Sequence, residues 1–271
     1  MIVSAARPVT LITGASAGIG TALARVFAEH GHQLVLIARR EQALAALADE
    51  IAALGRPRPI VLALDLARAD AVAEISRRLA AQNLEPQFVV NNAGFGLLGS
   101  AARLDRAEQL TMIDVNVRVL VDLSLAFVNH LTSNKGGILN VASVAGFLPG
   151  PGMAVYYASK AFVLSFTEAL HYELARRGVR VTVLCPGPVS TEFQARAGLP
   201  IDYHPAVLGR SADSVARDGY RALMQGRARI VPGLANKIVT FVPRLMPRSW
   251  MLRLVGMAQA GRFGARSANA S

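Results

Sequence analysis

Residues 9–20 read VTLITGASAGIG, and this stretch decides the fold. An apolar, partly β-branched run is followed by a turn with three glycines and then by the alanine-rich segment Thr21 to His30. Glycines let such a turn close tightly and let backbone N–H groups approach an anion at the start of a helix, where the helix dipole favours negative charge. The stretch predicts a strand, a phosphate-binding turn and a helix. A glycine turn that only packs the helix on the strand is the alternative.

The same alternation of apolar runs and amphipathic segments continues along the chain. The predicted strands are Val9 to Thr13, Leu34 to Ile37, Ile60 to Leu64, Phe88 to Val90, Ile138 to Val141, Val179 to Leu184 and Arg229 to Val231. The predicted helices are Thr21 to His30, Glu41 to Leu54, Asp70 to Gln82, Ala107 to Leu131, Tyr156 to Arg177 and Ser211 to Gln225, the last with Ser211 as its N-cap. We expect an α/β fold with a doubly wound, mostly parallel Rossmann-type sheet, helices on both faces and a single domain. Ligands of such sheets bind at the carboxyl ends of the strands.

The composition suits one large α/β domain and excludes several other classes. Of the 271 residues, 52% are hydrophobic and 17% are charged, which excludes a disordered chain. The longest uncharged stretch, Gly136 to Ser159, is broken by glycines and prolines and does not predict a membrane span. A single cysteine, Cys185, and a start without a signal-peptide pattern favour a cytoplasmic protein.

The net charge of +11 is unevenly distributed. No acidic residue follows Asp218, whereas nine arginines and lysines do. Basic surfaces attract polyanions, but the chain has no zinc-ligand spacing and no basic-aromatic RNA motif. We therefore expect neither a nucleic-acid partner nor a bound metal.

The end of the second predicted strand bears on the choice of dinucleotide. Ile37, Ala38, Arg39 and Arg40 lie roughly 20 residues after the glycine turn, where this kind of fold recognises the adenosine ribose. An acid there would accept the 2′-hydroxyl of NAD, but two arginines can instead bond a 2′-phosphate. The sequence favours NADP(H) over NAD(H). Solvated arginines that only end the strand are the alternative.

Tyr156 and Lys160 are four residues apart on a predicted helix, so both side chains lie on one face, while Tyr157 points roughly 100° away. A phenol is a poor base at pH 7 unless a positive charge assists it. At about 4 Å and an effective dielectric constant near 20, the attraction is on the order of 4 kcal/mol, enough to lower a tyrosine pKa substantially. Tyrosine and lysine at this spacing are nevertheless common on helix surfaces.

Several further motifs occur in order, each after an expected strand. They are TGASAGIG at 13–20, NNAG at 91–94, Asn116, Ser143, YYASK at 156–160 and PGPVST at 186–191. With these motifs the chain resembles the short-chain dehydrogenase/reductase family over about its first 190 residues. The resemblance implies hydride transfer between a nicotinamide dinucleotide and a carbonyl/alcohol pair.

The resemblance also implies a catalytic set of Asn116, Ser143, Tyr156 and Lys160. The serine would bond the substrate oxygen, and the tyrosine would exchange the hydroxyl proton. The lysine would lower the pKa of the tyrosine and bind the nicotinamide ribose, and the asparagine would hold a water linking the lysine to solvent. Purely structural roles remain open: Asn116 could bond a carbonyl within a helix, and Ser143 could form a turn at a strand end.

A larger set is expected to bind the cofactor. Asp65 would contact the adenine, residues 92–94 would line the dinucleotide, and residues 186–191 would touch the nicotinamide end. The full set is Thr13, Gly14, Ser16, Gly18, Ile19, Gly20, Arg39, Arg40, Asp65, Leu66, Asn92, Ala93, Gly94, Tyr156, Lys160, Pro186, Gly187, Val189 and Thr191. Asp65 as a helix cap and Asn92 as a buried sheet brace are the structural alternatives.

The substrate side is predicted to be apolar. Phe147 and Met153 lie between Ser143 and Tyr156, and Phe193 and Tyr203 lie in a predicted lid at about 187–211. These residues favour a hydrophobic ketone, aldehyde or secondary alcohol as substrate. The alternative is that they only pack the loop.

The chain is predicted to divide into a catalytic domain at 1–233 and a basic, apolar extension at 234–271. The extension mixes apolar residues and arginines with Trp250, as interfacial helices do, although Pro243 and Pro247 interrupt it. Peripheral membrane contact, packing over the pocket and packing on another subunit all remain open. The resemblance implies a homodimer or homotetramer.

The leading hypothesis from the sequence is an NADP(H)-dependent carbonyl reductase with Tyr156 as general acid. An NAD-linked secondary-alcohol dehydrogenase is the alternative enzyme. A module that binds NADP(H) without turnover is the alternative from another class, which the complete set of Ser143, Tyr156 and Lys160 disfavours.

Overall fold

The computed structural model describes residues 6–198, 206–242, 247 and 249–257. Within them, seven strands form one parallel sheet in the order β3-β2-β1-β4-β5-β6-β7. The strands are β1 (Arg7–Thr13), β2 (Leu34–Ala38), β3 (Ile60–Ala63), β4 (Leu84–Asn91), β5 (Gly137–Val141), β6 (Arg180–Leu184) and β7 (Arg229–Ile230).

Helices connect the strands. They are α1 (Gly18–Glu29), α2 (Glu41–Ala53), α3 (Ala71–Ala81), α4 (Arg106–Ile113), α5 (Val119–Ala126), α6 (Val128–Ser133), α7 (Ala154–Ala175), α8 (Glu192–Ala197), α9 (Ala212–Met224) and α10 (Leu234–Phe241). A π-helical turn (Asp114–Arg118) joins α4 to α5, and 3-10 turns occupy Val144–Phe147 and Ala206–Leu208. A further helix lies at 249–257.

The order of the strands reverses between β1 and β4. From β1 the chain builds outward to β2 and β3, and then crosses back to place β4 on the other side of β1. The connections on the two sides diverge at this point, which leaves a crevice at the carboxyl ends of β1 and β4. The ligand cleft described below begins at this crevice.

Two hydrophobic cores cover the two faces of the sheet. Side chains of α1, α2 and α9 bury one face, and side chains of α3, α5 and α7 bury the other. The central strands are mostly apolar because both of their faces are covered. The predicted doubly wound, single-domain α/β fold is confirmed.

The predicted strands and all but one of the predicted helices are found, with ends shifted by a few residues. The largest shift is in β4, which begins at Leu84 rather than Phe88. The strand tolerates Pro86 because that part of it pairs with β1 alone, whereas pairing with β5 starts at Phe88. Ser211 caps α9 as predicted, since its side chain accepts a hydrogen bond from the backbone N–H of Ser214.

Two predictions about regular structure were wrong. The single helix predicted over Ala107 to Leu131 is interrupted by the π-helical turn Asp114–Arg118 and by a break at Phe127. The predicted loop before Ser211 contains α8, which begins at the N-cap Thr191 and ends at Gly198 in a left-handed conformation (φ 73°). A helix of this length carries too few residues to show a clear 3.6-residue period.

No helix in the described part of the chain combines the length and the apolar character that crossing a membrane requires.

Candidate active site

One long cleft follows the carboxyl ends of the central strands. Its volume is about 510 Å³, a size typical of small-ligand sites. At one end it begins at the glycine turn and the arginines after β2, which we call the mouth, and it ends at Ser143, Tyr156 and Lys160, which we call the inner end. Most of the predicted cofactor residues and three of the four predicted catalytic residues therefore meet in a single cavity.

The glycine turn lies along the cleft next to the first residues of α1. Gly18 has a left-handed backbone (φ 57°), and a Cβ on Gly20 would lie 2.1 Å from the carbonyl oxygen of Gly14, so neither position accepts a side chain. The N-cap of α1 is Ala17, and no side chain caps the helix. Backbone N–H groups at this end thus remain available to an anion in the cleft.

Thr13 and Asn92 hold the glycine turn against β4. The Thr13 hydroxyl accepts hydrogen bonds from the backbone N–H groups of Asn92 and Ala93, both at 3.0 Å. The Asn92 side-chain amide donates to the carbonyl oxygens of Thr13 (3.0 Å) and Gly14 (3.2 Å). Thr13 and Gly20 are not among the cleft-lining residues, whereas Asn92 both lines the cleft and braces the turn.

At the mouth, Arg39, Arg40, Asp65 and Leu66 all line the cleft. Arg40 donates to the backbone oxygen of Ser16 at 3.0 Å and forms an ion pair with Glu192 of α8 at 2.8 Å. That ion pair joins the region after β2 to the predicted lid. The Asp65 carboxylate accepts a hydrogen bond from the backbone N–H of Ala67, so it also shapes the turn after β3.

At the inner end, α7 presents Tyr156 and Lys160 to the same cavity. The Lys160 ammonium nitrogen lies 5.9 Å from the centre of the Tyr156 ring and donates a 2.8 Å hydrogen bond to the carbonyl oxygen of Val141. Lys160 is only 4% exposed, and burial lowers its pKa to about 8. The amine therefore remains mainly protonated at neutral pH. The two side chains face one another as the spacing predicts.

Ser143 follows β5 and also lines the inner end. Its hydroxyl oxygen accepts a hydrogen bond from the backbone N–H of Ala145 at 3.1 Å. This leaves the hydroxyl hydrogen to donate to another acceptor. The turn-forming role and the predicted role toward a substrate oxygen are thus compatible.

Asn116 lies behind the cleft wall rather than on it, and it is fully buried in the π-helical turn. Its side chain accepts from the N–H of Phe95 and donates to the carbonyl oxygen of Phe95, both at 3.0 Å, and it donates to the Ser159 hydroxyl at 3.1 Å. These bonds tie the strand end after β4 to α7. The water proposed to connect Asn116 with Lys160 stays a prediction.

The segment after β6 forms the base of the lid. Pro186, Gly187, Val189 and Thr191 line the cleft. The Thr191 hydroxyl accepts from the N–H of Phe193 at 3.3 Å and so starts α8. The cleft wall and the helix cap share this residue.

Of the four predicted substrate residues, Met153 and Phe193 line the cleft. The ring centre of Phe193 lies 5.4 Å from that of Tyr156. Phe147 is not among the lining residues, and its predicted contact with the substrate stays a prediction. The 3-10 turn places Phe147 against a core cluster, with the Arg229 guanidinium 5.6 Å from its ring centre. Tyr203 lies outside the described residues.

Several lining residues were not predicted. Phe95 follows the NNAG motif, and the Arg196 guanidinium of α8 lies 4.4 Å from the centre of its ring. Tyr157 also lines the cleft, although its helix position points away from Tyr156. The three-residue spacing of Phe193 and Arg196 would have placed them on one face, had α8 been recognised as a helix.

Within the described ranges, no three or more His, Cys, Asp and Glu side chains come together as a potential metal site.

Comparison with known proteins identifies the architecture. Residues 8–200 match the short chain dehydrogenase family. Sulfoacetaldehyde reductase 2 of Chromohalobacter salexigens is 42% identical over 188 residues, covering 68% of this chain and 74% of that protein. The NADP-dependent 3-hydroxy acid dehydrogenase of Salmonella typhi is 37% identical over 190 residues, covering 69% and 75%.

Among solved structures, a short-chain dehydrogenase from Sphingobium yanoikuyae in complex with NADPH is similar, with a TM-score of 0.76 and 33% identity. The match covers 84% of this chain and 88% of that one. Taken with the cleft that joins a glycine turn to Ser143, Tyr156 and Lys160, these matches show that the chain is an oxidoreductase acting on the CH–OH/C=O pair and belongs to the short-chain dehydrogenase/reductase family.

Proposed function

We propose that this protein is an NADP(H)-dependent reductase that converts a hydrophobic ketone or aldehyde to the alcohol, with Tyr156 as general acid. The proposal rests on the arrangement of side chains at the inner end of the cleft. There a buried Lys160 lies against the Tyr156 ring, and both share one cavity with Ser143 and the glycine turn.

The cleft fits a dinucleotide phosphate. The start of α1 offers backbone N–H groups without a side-chain cap, and Gly14 and Gly18 allow close approach to them. Arg39 and Arg40 at the mouth would hold a 2′-phosphate, and Ala38 supplies no acid to accept a 2′-hydroxyl. The NADPH-bound relative from Sphingobium yanoikuyae supports this choice. When bound, the nicotinamide supplies the hydride.

The residues at the inner end handle the proton. The Ser143 hydroxyl donates a hydrogen bond to the substrate oxygen, and the Tyr156 hydroxyl delivers its proton to that oxygen as negative charge develops on it. The Lys160 ammonium stabilises the phenolate that remains, because the two groups are close and water is largely excluded around the amine. The bond from Lys160 to the Val141 carbonyl fixes the ammonium in position.

The side chains facing this end favour an apolar substrate. Leu148, Met153 and Phe193 line the cavity near Tyr156, and Met153 and Phe193 belong to one small apolar cluster with its ring. A hydrophobic group next to the carbonyl would bury apolar area against them.

One observation favours a second substrate class, an anionic carbonyl compound. Arg196 lines the cleft, stacks on Phe95 and forms no ion pair within 4 Å among the described residues, although Asp65 and Glu108 are near enough to attract its charge. The relatives named for sulfoacetaldehyde and for 3-hydroxy acids are named for anionic molecules. Arg196 could bond such an anion through charge-assisted hydrogen bonds.

The test is oxidation of NADPH, and separately of NADH, by the purified protein with a panel of carbonyl compounds. The panel contains aryl and alkyl ketones, hydrophobic aldehydes, sulfoacetaldehyde and 3-oxo acids. We expect turnover of hydrophobic members with NADPH and its loss in Tyr156→Phe. Tyr172→Phe, on the same helix but 79% exposed, is the matched control.

Three results would contradict parts of the proposal. Faster turnover with NADH than with NADPH would show that Arg39 and Arg40 do not select the 2′-phosphate. Binding of NADPH without turnover of any carbonyl compound would favour a module that binds the cofactor without catalysis. Turnover of the anionic members alone, lost in Arg196→Gln, would replace the hydrophobic substrate by the second class.

A further inference from the structure

We propose that α10 and the helix at 249–257 form a surface that docks on an anionic membrane. Neither helix belongs to the cleft, so the proposal does not depend on the identity of the reaction. It rests on how the two helices present their side chains and on the charge of this part of the chain.

The polarity of α10 is reversed relative to an ordinary surface helix. Its apolar side chains Leu234 (75%), Ile238 (56%) and Phe241 (57%) are exposed, whereas the polar Asn236 and Thr240 are buried. Asn236 is held inside, since its amide donates to the carbonyl oxygens of Pro232 (2.9 Å) and Leu208 (3.2 Å). The bonds of the polar side chain therefore fix the helix with its apolar face outward.

The helix at 249–257 repeats the spacing of the exposed apolar residues. Trp250 (62%), Leu254 (49%) and Met257 (66%) are exposed and are separated by four and then three residues. The exposed apolar residues of α10 have the same separations. Met251, roughly 100° around the helix from Trp250, is buried and anchors the helix to the protein, whereas Leu252, on the side opposite Trp250, is 43% exposed. Both helices therefore expose apolar residues at the same spacing, and both lie next to the segment between Ser143 and Tyr156. Exposed apolar patches often mark interaction sites.

Each helix carries one cation at the same place in the pattern, Lys237 in α10 and Arg253 in the second helix. Both side chains are exposed, and neither has an ion-pair partner in the part of the chain that the structure describes. No acidic residue occurs after Asp218 to complement them. Anionic lipid headgroups complement such a face, whereas a second copy of the chain would bring like charges together.

Trp250, Lys237 and Arg253 are also residue types that favour the interface between the headgroups and the acyl chains of a bilayer. Indole rings favour the headgroup boundary, and lysine and arginine can extend to phosphate while their stems remain in apolar surroundings.

The surface lies beside the segment between Ser143 and Tyr156. Helix α10 packs on the 3-10 turn in that segment, and a Cβ on Gly256 would lie 3.9 Å from Pro151.

The experiment is cosedimentation of the full chain with vesicles. One set contains phosphatidylcholine alone and the other phosphatidylcholine with phosphatidylglycerol, each at low and high salt. We expect binding to the anionic vesicles only, weaker at high salt because screening shortens the reach of the charges.

Variants connect binding to the named face. Lys237→Gln and Arg253→Gln should each lower the vesicle partition coefficient about fivefold. Ile238→Glu with Leu254→Glu should abolish binding. Leu54→Glu, an equally drastic change at a residue that is 68% exposed elsewhere, should leave binding unchanged. The two single-charge variants lie on the surface, so they keep the test valid if the double variant unfolds.

The proposal is overturned if the wild-type protein ignores anionic vesicles, or if the glutamine variants bind as the wild type does. Light scattering identifies the competing occupant. If Ile238→Glu lowers the mass of an oligomer while the wild type does not bind vesicles, the face is an interface between copies of the chain.

Discussion

The inner end and the mouth of the cleft differ in how firmly their charged residues are held. Lys160 is 4% exposed and fixed by the Val141 carbonyl, whereas the Arg40–Glu192 pair at the mouth has side chains that are 51% and 64% exposed. A buried charge is held in one geometry, while a solvated ion pair contributes little free energy and exchanges partners readily. We infer that the inner end sets the rate and that the mouth sets the cofactor.

The largest effect should come from removing the charge at the inner end. Lys160→Met should lower kcat for carbonyl reduction by about 10²–10⁴-fold, because the proton transfer loses its electrostatic support. The fold should persist, since methionine fills similar volume and has no charge to desolvate. Steady-state kinetics with thermal unfolding checks both. Lys135→Met, at an exposed lysine, should retain full activity, and equal losses in the two variants would contradict the assignment.

The same lysine should make stability depend on pH. Its pKa is about 8 in the folded protein and 10.5 in the unfolded chain, so between these values the unfolded state binds more protons. The free energy of unfolding of the wild type, measured relative to Lys160→Met, should therefore rise by on the order of 3 kcal/mol as pH increases through this window. Urea unfolding at several pH values measures it, and parallel curves for the two proteins would show that burial does not shift this amine.

At the mouth, Arg39→Gln should weaken NADPH binding by about 10–100-fold and leave NADH binding unchanged. The range follows from the loss of a hydrogen bond between charged groups, about 1.5–3 kcal/mol. Fluorescence titration of both cofactors measures it. Arg58→Gln, which breaks an exposed pair with Asp49 away from the cleft, is the control. An equal loss of affinity for NADH would show that Arg39 does not recognise the 2′-phosphate.

The smallest effect should come from Glu192→Gln, which should strengthen NADPH binding where Arg39→Gln weakens it. Glu192 competes with a phosphate for Arg40, so the neutral variant should bind NADPH up to about fivefold more tightly, the upper range for an exposed ion pair. Glu173→Gln on the exposed side of α7 should change nothing. Weaker binding in Glu192→Gln would mean that the ion pair organises the mouth instead.

Local sequence patterns were sufficient to predict the fold and the main residues of the cleft. The glycine turn, the strand ends and the pair Tyr156 and Lys160 depend on neighbours within a few residues, and each was found where the pattern placed it. A helical spacing fixes two side chains on one face whatever packs around them.

Properties that depend on distant contacts were not predictable. Phe147 packs against a core cluster with the guanidinium of Arg229, far along the chain, over its ring, and Asn116 is occupied by Phe95 and Ser159. The partnership of Arg40 with Glu192 depends on α8, a helix too short to show a period. Sequence spacing alone carries no information about such pairs.

The central claim is that Tyr156 and Lys160 act as one unit, and a double-mutant cycle on the hydride-transfer rate tests it most directly. Single-turnover rates at saturating NADPH are needed for the wild type, Tyr156→Phe, Lys160→Met and the double variant. If the lysine acts through the phenol, the double variant should react within about threefold of Tyr156→Phe alone. Losses that multiply in the double variant would show two independent contributions and contradict the account.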